Sequence, residues 1–279
     1  MNVKLKRKIE NTIFLSLSFL SASFGLIFLF WILGDLFING FKYINIDLFI
    51  KDPVPPGMEG GGLKQAFIGH IIITVIGTVI GTPIGILAGI YFAEYGRNSK
   101  IAKIGRNIVD IMVSNPSIVI GAVVYALLVK PVGHFMGFAG GVALALLMIP
   151  VIVITTDEMM KLIPKETREA AYALGAQPWQ VNFQVVLKAA KVGVLTGVIL
   201  GVARISGETA PLLFTSFNNS FTNLDPTKPM ASLTVTVFQY AMGPYDDWHR
   251  QAWAASFILT FAVLIASITA RYIIQRKKH

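Results

Sequence analysis

The amino-acid sequence predicts an all-α integral membrane protein with six transmembrane helices. The chain of 279 residues is 54% hydrophobic and only 14% charged, with a mean hydropathy of +0.65, whereas soluble domains average about 25% charged residues. Crossing about 30 Å of hydrocarbon takes about 20 apolar residues. Six runs are long enough, at residues 12–37, 66–92, 107–129, 138–157, 190–216 and 252–274. We therefore expect one transmembrane domain over residues 1–279.

The basic residues predict how the chain is oriented. Its net charge is +9, which in a soluble protein would indicate nucleic-acid binding. Most lysines and arginines, however, lie in segments that alternate spans place on one side of the membrane, at residues 4–8, 97–106, 161–191 and 271–278. By the positive-inside rule these segments and both termini are cytoplasmic. We expect no nucleic-acid partner.

The first apolar run follows a basic segment, as the apolar core of a signal peptide does. It continues for about 25 residues, whereas the core of a cleaved signal is about 7 to 15 residues long. We therefore expect a retained signal-anchor span.

Spans two and five carry glycines four residues apart. Such glycines allow the backbone of a second helix to approach closely, so both spans are expected to pack inside a bundle. The two sets are Gly77, Gly81, Gly85 and Gly89 in span two, and Gly193, Gly197 and Gly201 in span five.

Span five also contains Arg204 near its middle and Glu208 one helical turn later. A charge at the bilayer centre costs roughly 2.5 to 3.5 kcal/mol, so ionisable residues there usually mark a substrate or ion path. On an ideal helical wheel both residues share the glycine face, and we expect them to face the bundle interior. A structural (i, i+4) ion pair is the alternative role.

Pro211 predicts a break in span five. Proline has no amide hydrogen, and its ring clashes with the carbonyl four residues earlier, here that of Gly207. Broken membrane helices commonly build transport sites, with freed backbone amides directed at anions. Ser206 and Thr209 are placed to supply further hydrogen-bond donors.

Residues 159–189, between spans four and five, form a long, charged and helix-prone segment. Pro164 suits the start of a helix and Gly175 its end, while Ala170 and Ala171 permit close approach. Pro178 can start a second short helix. The sequence thus predicts a helix-turn-helix on the cytoplasmic face, suited to transmitting force from a soluble partner, with Arg168 and Glu169 offering charged contacts.

No metal or redox site is predicted. The chain has no cysteine, which excludes disulfides and thiolate ligands. His70 and His134 are isolated, with no second ligand at zinc-site spacing. Asp110, Asp157 and Glu158 lie near inner membrane ends, where we expect solvated or capping roles.

Four segments resemble known families. The run Glu169-Ala170-Ala171-x-x-x-Gly175 resembles the EAA loop of ABC importer permeases. The family pattern continues to Ile-x-Leu-Pro; this chain has Val185 and Leu187 in register but Lys188 in place of the proline. Residues 203–213 (ARISGETAPLL), 114–119 and 238–253 are similar to the PstA family of permeases from phosphate importers.

The resemblance implies a type I ABC importer permease fold and a set of partners. These are a sister permease of the PstC type, two ATPases of the PstB type and a phosphate-binding protein of the PstS type. The coupling loop, with Arg168, Glu169, Ala170, Ala171 and Gly175, would insert into a groove on the ATPase. No Gly-x-x-x-x-Gly-Lys-[Ser/Thr] motif occurs here, so ATP and Mg²⁺ are expected on the partner ATPase, and this chain is expected to be non-enzymatic and without cofactors.

For the substrate path, the resemblance implies that the Arg204 guanidinium meets phosphate, since its fork of donors matches phosphate oxygens. Glu208 would orient Arg204 or act as a gate. Two alternatives stay open at this point: an ABC importer for another oxyanion or an organic solute, and a stand-alone secondary transporter or intramembrane enzyme.

Overall fold

The computed structural model of the chain describes residues 3–96 and 99–276, and these fold into helices and connecting loops without strands. Arg97, Lys277 and Lys278, which belong to the basic segments noted above, lie outside the described residues. The helices are α1 (Val3–Phe41), α2 (Asp47–Ile50), α3 (Lys64–Glu94), α4 (Lys100–Ser114), α5 (Ser117–Val124), α6 (Lys130–Val132), α7 (Gly137–Lys161), α8 (Lys165–Ala173), α9 (Pro178–Gln180), α10 (Leu187–Ser206), α11 (Ala210–Thr215), α12 (Leu233–Ala241) and α13 (Asp246–Arg276). Short π-helical turns join α5 to α6 (Tyr125–Val129) and α9 to α10 (Val181–Val186).

Five of the described helices are long and apolar enough to cross a membrane. They cover Lys6–Phe41, Lys64–Glu94, Gly137–Lys161, Pro178–Ser206 and Asp246–Ile274. The remaining predicted span, the third along the chain, is divided into Lys100–Ser114 and Ser117–Val132, which meet at an angle of 108°. The all-α membrane fold is thus confirmed.

The third predicted span, over residues 107–129, is not one straight helix, because the chain turns sharply at Asn115 and Pro116. A proline disfavours helical geometry in the residue before it, and Asn115 is extended, with φ −76° and ψ 137°. α4 therefore ends at Ser114, and only the part from Ser117 onward continues as an apolar helix.

The glycine ladder of α3 forms its contact with α7. A Cβ atom added at Gly85 would lie 2.7 Å from Cβ of Ile152, and one at Gly89 would lie 2.5 Å from Cβ of Thr156. Such separations leave no room for a side chain, so the two helices approach as closely as the glycines allow. The packing role predicted for this ladder is confirmed.

α10 packs in the same way against an adjacent face of α7, and it shares Met148 and Ile152 with the α3 contact. Its glycines Gly193 and Gly197 lie against Met159 and Thr155, and Gly201 lies against Met148. Because Met148 is near the middle of α7 (Gly137–Lys161), Gly201 and the residues just after it lie near half the height of the bundle. We call the end of the bundle at Glu94 and Lys161 the inner end, because the basic segments flank it.

α1 and α13 form a peripheral pair. The rings of Phe37 and Phe41 on α1 lie 5.6 and 6.0 Å from that of Phe257 on α13, and Gly40 allows the backbone at Trp253 to approach. The most apolar window of α1 is 0% buried by the rest of the chain. Its remaining surface is therefore available to lipid or to a neighbouring subunit.

The segment after α11 folds back onto the outer end of the bundle. Gly69 of α3 lies directly against the Ala231 carbonyl. α12 buries its whole first turn, Leu233 to Thr236, together with Tyr240. The sequence left open whether this segment dips inward or forms a docking loop. In the structure, α12 is part of the packed core.

The α3–α7 contact predicts a difference between two substitutions on the same helix face. Gly89→Ala places a Cβ 2.9 Å from the Val153 carbonyl oxygen as well as against Thr156, whereas Gly81→Ala meets its nearest atom, the Ala145 carbonyl oxygen, at 3.3 Å. Overpacking costs about 1 to 3 kcal/mol, while alanine gains about 1 kcal/mol in helix propensity.

We therefore expect Gly89→Ala to lower the temperature at which the purified complex loses its monodisperse peak in size-exclusion chromatography, and Gly81→Ala to leave it nearly unchanged. Equal melting of the two variants would contradict the packing described.

Candidate functional site

The fifth span breaks where the sequence predicts. α10 ends at Ser206, Gly207 to Thr209 are not helical, and α11 begins at Ala210 with Pro211 in its first turn. Proline is accepted there because the first amides of a helix have no intrahelical partner. α11 then continues outward to Thr215, whose carbonyl accepts a hydrogen bond from the Met136 amide.

Arg204 lies in the last turn of α10, just beyond half the height of the bundle. Its Nε is 3.9 Å from Oε1 of Glu208, and 41% of its side chain is exposed in the chain by itself. That separation exceeds a hydrogen bond, so the pair is loose. The guanidinium keeps its donors available for another ligand.

The expectation that Arg204 faces the interior of this chain's own bundle is wrong. The buried face of α10 shifts by 40° for every four residues, passing from Gly197 to Gly201 and then to Ile205, which is fully buried. Arg204 lies 100° away from Ile205 on the wheel. A helical wheel that treats all the glycines as one face does not show this shift. The Arg204 side chain is instead partly exposed on the side surface of the chain.

Glu208 lies in the break itself, and its side chain is 17% exposed. Its backbone carbonyl accepts a hydrogen bond of 2.8 Å from the Thr234 hydroxyl of α12. This bond satisfies a backbone group that the break removes from the helix, as hydrocarbon requires. No sequence pattern indicates the role of Thr234, which is 26 residues away along the chain.

Ser206 and Thr209 do not both join the pair. The Ser206 hydroxyl donates to the Val202 carbonyl at 2.8 Å, and its side chain lines a cavity of about 200 Å³ between α10 and α13, beside Ala203 and Ala266. Thr209 precedes α11 and is half-buried, and its side chain makes no capping bond. The structure thus brings Arg204 and Glu208 together and directs Ser206 elsewhere.

The broken third and fifth spans pack against each other. A Cβ on Gly121 of α5 would lie 2.6 Å from Cα of Pro211 on α11, so these two helices touch through their backbones. Each follows a break, at Asn115–Pro116 and at Gly207–Thr209. Two interrupted helices therefore adjoin on one side of the bundle, as is common in transport sites.

The loop between α7 and α10 contains the predicted coupling element. α8 covers Lys165–Ala173 and ends in Gly175 with φ +82°. The Gly175 amide donates to Tyr172, and the Ala176 amide donates to Ala171, which is the Schellman arrangement of a helix end. The predicted role of Gly175 in ending this helix is confirmed.

The predicted second short helix at Pro178 is wrong in its extent. The chain is helical from Pro178 to Ser206 without interruption, over 29 residues. Lys188 lies inside this helix, where a proline would remove a backbone hydrogen bond. The departure from the family pattern at Lys188 is thus compatible with a rigid connection between the coupling loop and Arg204.

Within the coupling loop, Arg168 faces the chain's own helices. It pairs with Glu94 at the end of α3 through Nη2 (2.7 Å) and Nε (3.2 Å), and it donates to the carbonyls of Ile163 and Met160. Only 17% of the Arg168 side chain and 11% of that of Glu94 are exposed. Arg168 therefore fastens α8 to the inner ends of α3 and α7.

Glu169 and Ala170 are on the opposite, exposed side of α8, while Ala171 is buried against the bundle. Large apolar side chains surround this exposed side, with Leu174 90% exposed and Tyr172 and Trp179 about half exposed. An exposed apolar patch of this kind usually marks a protein contact. The loop thus presents a mixed acidic and apolar surface beyond the inner end.

Asp157 does not have the solvated role expected from the sequence. It is buried, accepts a charged hydrogen bond from Arg106 of α4, and pairs with Lys161 at 2.7 Å. Arg106 also donates to the Phe92 carbonyl at 2.7 Å. The partners Arg106 and Asp157 are 51 residues apart, so spacing alone could not reveal this cluster.

Comparison with known proteins identifies the class. The sequence profile of the family described as "Binding-protein-dependent transport system inner membrane component" matches residues 81–279. This range contains both helix breaks, Arg204 and the coupling loop. The chain belongs to this family of ABC importer permeases.

Within that family, the chain's relatives are phosphate transport system permeases named PstA. The chain is 50% identical to the PstA of Haemophilus influenzae, over 98% of this chain and 96% of the relative. It is 48% identical to the PstA of Yersinia pestis, with 98% and 92% covered. A probable PstA from Methanocaldococcus jannaschii is 34% identical, with 78% of each chain covered.

Solved structures show the same fold. The inward-facing methionine ABC transporter MetNI aligns with a TM-score of 0.59 and 20% identity, covering 76% of this chain and 92% of that chain. An amino acid ABC transporter with bound histidines aligns with a TM-score of 0.51 and 15% identity, covering 76% and 91%. At this identity the likeness concerns the architecture alone.

The Arg168–Glu94 pair predicts how firmly the coupling loop is held. Glu94→Gln removes the charged acceptor but leaves every tryptic site in place. A hydrogen bond to a charged group contributes about 1.5 to 3 kcal/mol, and proteolysis follows the population of the open state when opening is fast.

We expect trypsin to cleave after Lys165 about tenfold faster in Glu94→Gln. The matched control is Glu169→Gln, which removes a carboxylate from α8 itself. Glu169 makes no ion pair with the other described residues, 3–96 and 99–276. If Glu94→Gln is cleaved no faster than this control, the pair does not hold the loop.

Proposed function

We propose that this chain is the transmembrane permease subunit of an ATP-driven importer of inorganic phosphate. The carrying observation is Arg204, a guanidinium near half the height of a membrane bundle, beside a helix break and held only loosely by Glu208. The names of the relatives, which are phosphate transport permeases, support phosphate as the cargo.

Arg204 would contact the anion during passage. Its charge persists at every physiological pH, and its planar fork of donors matches two oxygens of a phosphate. Because Arg204 opens onto the flank of this chain, the path would lie between this chain and a second permease of the PstC type. Thr209 would donate from the break.

Glu208 would act as the counter-charge of the empty path. A bare carboxylate repels phosphate, so Glu208 would orient Arg204 and release it when the anion arrives. The present Nε–Oε1 separation of 3.9 Å is compatible with such an exchange.

The coupling loop would carry the work of ATP hydrolysis. Glu169, Ala170 and the surrounding exposed apolar side chains would enter a groove on one of the two PstB-type ATPases, the subunits on which ATP and Mg²⁺ would bind. Arg168 and Gly175 would act as positioning residues. A PstS-type protein would deliver phosphate at the outer end, and this chain itself would be non-enzymatic.

The arrangement supports one permease domain over residues 1–279 in a bacterial or archaeal inner membrane, with both termini cytoplasmic. The inner end carries the basic segments, and α8 lies beyond it. An importer of another oxyanion would use the same guanidinium, so competition by sulfate and molybdate distinguishes the cargo.

The substrate role of Arg204 predicts a loss of transport. Arg204→Gln keeps a hydrogen-bonding side chain but removes the charge, and should lower phosphate uptake into vesicles containing the full complex by about 10- to 100-fold, as expected for charged hydrogen bonds of 1.5 to 3 kcal/mol. Arg204→Lys should be intermediate, because it keeps the charge without the fork.

The matched control is Arg271→Gln, at an exposed arginine near the C-terminal end of α13. It should transport normally. Undiminished uptake by an assembled Arg204→Gln complex would remove Arg204 from the path.

The coupling role of Glu169 predicts a separate defect. Glu169→Ala should reduce the stimulation of ATP hydrolysis by phosphate-loaded binding protein about tenfold or more, because truncating one side of a buried charged contact costs 2 to 5 kcal/mol. Glu166→Ala, at an exposed carboxylate in the first turn of the same helix, should remain coupled. Equal stimulation in both variants would contradict the proposed contact.

A further inference from the structure

α4 carries a stripe of isoleucines that the rest of the chain does not cover. Ile101, Ile104, Ile108 and Ile111 are spaced by three, four and three residues, which places them on one side of the helix. Each is more than half exposed. Exposing four large apolar side chains on one helix face to water is unfavourable. Such a patch usually marks a contact with lipid or with another protein.

This stripe is distinct from the face by which α4 packs onto the bundle. That face consists of Ala102 and Val109, which are buried, and Gly105, which lies against the Phe92 ring. The isoleucines are therefore a second apolar surface, turned away from the core. A helix with two apolar faces lies between two apolar environments.

The position of α4 indicates what the second environment is. Arg106 ties the middle of α4 to Asp157 and to the Phe92 carbonyl, in the last turns of α7 and α3. α4 thus lies at the level of the inner membrane boundary. It also meets the apolar helix that follows it at 108°, so it runs along the boundary when that helix runs across the membrane.

Basic side chains border the isoleucine stripe. Lys100 and Lys103 are exposed and fall on the wheel beside the stripe, with Asn107 between them. Asp110 is also on this polar side, about two to three turns nearer the bend. A helix with an apolar face and neighbouring lysines is typical of segments that lie in the surface of an anionic bilayer.

We propose that α4 is an interfacial helix that binds anionic phospholipid of the cytoplasmic leaflet. Its four isoleucines insert among the acyl chains, and Lys100 and Lys103 bind the headgroup phosphates. The proposal depends on the cytoplasmic orientation of the inner end and is independent of the cargo.

Lipid bound here has a route to the coupling loop. Phe92 and Glu94 are in the same final turn of α3, where the first accepts from Arg106 of α4 and the second pairs with Arg168 of α8. Ordering α4 at the membrane surface therefore steadies the end of α3 to which α8 is fastened. Anionic lipid that binds α4 should therefore also support the coupling of ATP hydrolysis to transport through α8.

The test uses the assembled complex with a single introduced thiol. This chain has no cysteine, so Ile104→Cys labelled with bimane reports on α4, and the unsubstituted complex labelled in parallel gives the background from partner chains. The complex is reconstituted in phosphatidylcholine vesicles containing equal mole fractions of either brominated phosphatidylglycerol or brominated phosphatidylcholine.

We expect both lipids to quench the label, with phosphatidylglycerol at least twofold more effective. Lys100→Gln combined with Lys103→Gln should remove that preference. Lys188→Gln combined with Lys191→Gln, at exposed lysines near the inner end of α10, should leave it intact.

Several results would overturn the proposal. Quenching by aqueous iodide and not by brominated lipid would place the stripe in water, and quenching by none of them would show that a partner subunit covers it. Equal quenching by the two lipids, or a preference that survives loss of both lysines, would reject the anionic lipid. Ile108→Cys, labelled and quenched in the same way, should give the same result. It shows whether the quenching at Ile104→Cys reflects only a local effect of that substitution.

Discussion

The close contact between α3 and α7 is the constraint on which the remaining structure depends. Glycines at the contact remove the side chains that would hold the helices apart, and dispersion between closely packed backbones drives association where lipid offers no hydrophobic effect. α7 presents an adjacent face to the glycines of α10, and so fixes the height of Arg204. A change in the α3–α7 distance would move Arg204 and the loop between α7 and α10 together.

Arginines lie at two heights in this bundle, and they differ in how fully their charges are paired. At the inner end, Arg106 and Arg168 are saturated by carboxylates and carbonyls, so they stabilise the ends of helices against one another. Near mid-height, Arg204 has only a loose partner. A charge at this depth of a membrane without full compensation is costly, and a bound anion would offset that cost. The first kind of arginine holds the structure, and the second is suited to transport.

Features encoded locally could be predicted from the sequence. Pro211 interrupts the fifth span and Gly175 ends α8, each through its own backbone chemistry. The regular spacing of the α3 glycines indicates a close helix contact, whichever helix is the partner. Other features depend on tertiary geometry. The dipeptide Asn115-Pro116 indicates a break but not its 108° angle, the burial of Asp157 requires a partner 51 residues away, and the outward position of Arg204 follows from the winding of α10 around α7.

The most direct measurement is the position of the cargo in the assembled complex, solved with phosphate trapped inside the membrane. The account predicts an oxyanion within about 3 Å of the Arg204 guanidinium, which is hydrogen-bonding distance, with Glu208 displaced from it. An Arg204 side chain directed into acyl chains, or locked by protein groups in both the inward- and outward-open states, would contradict it.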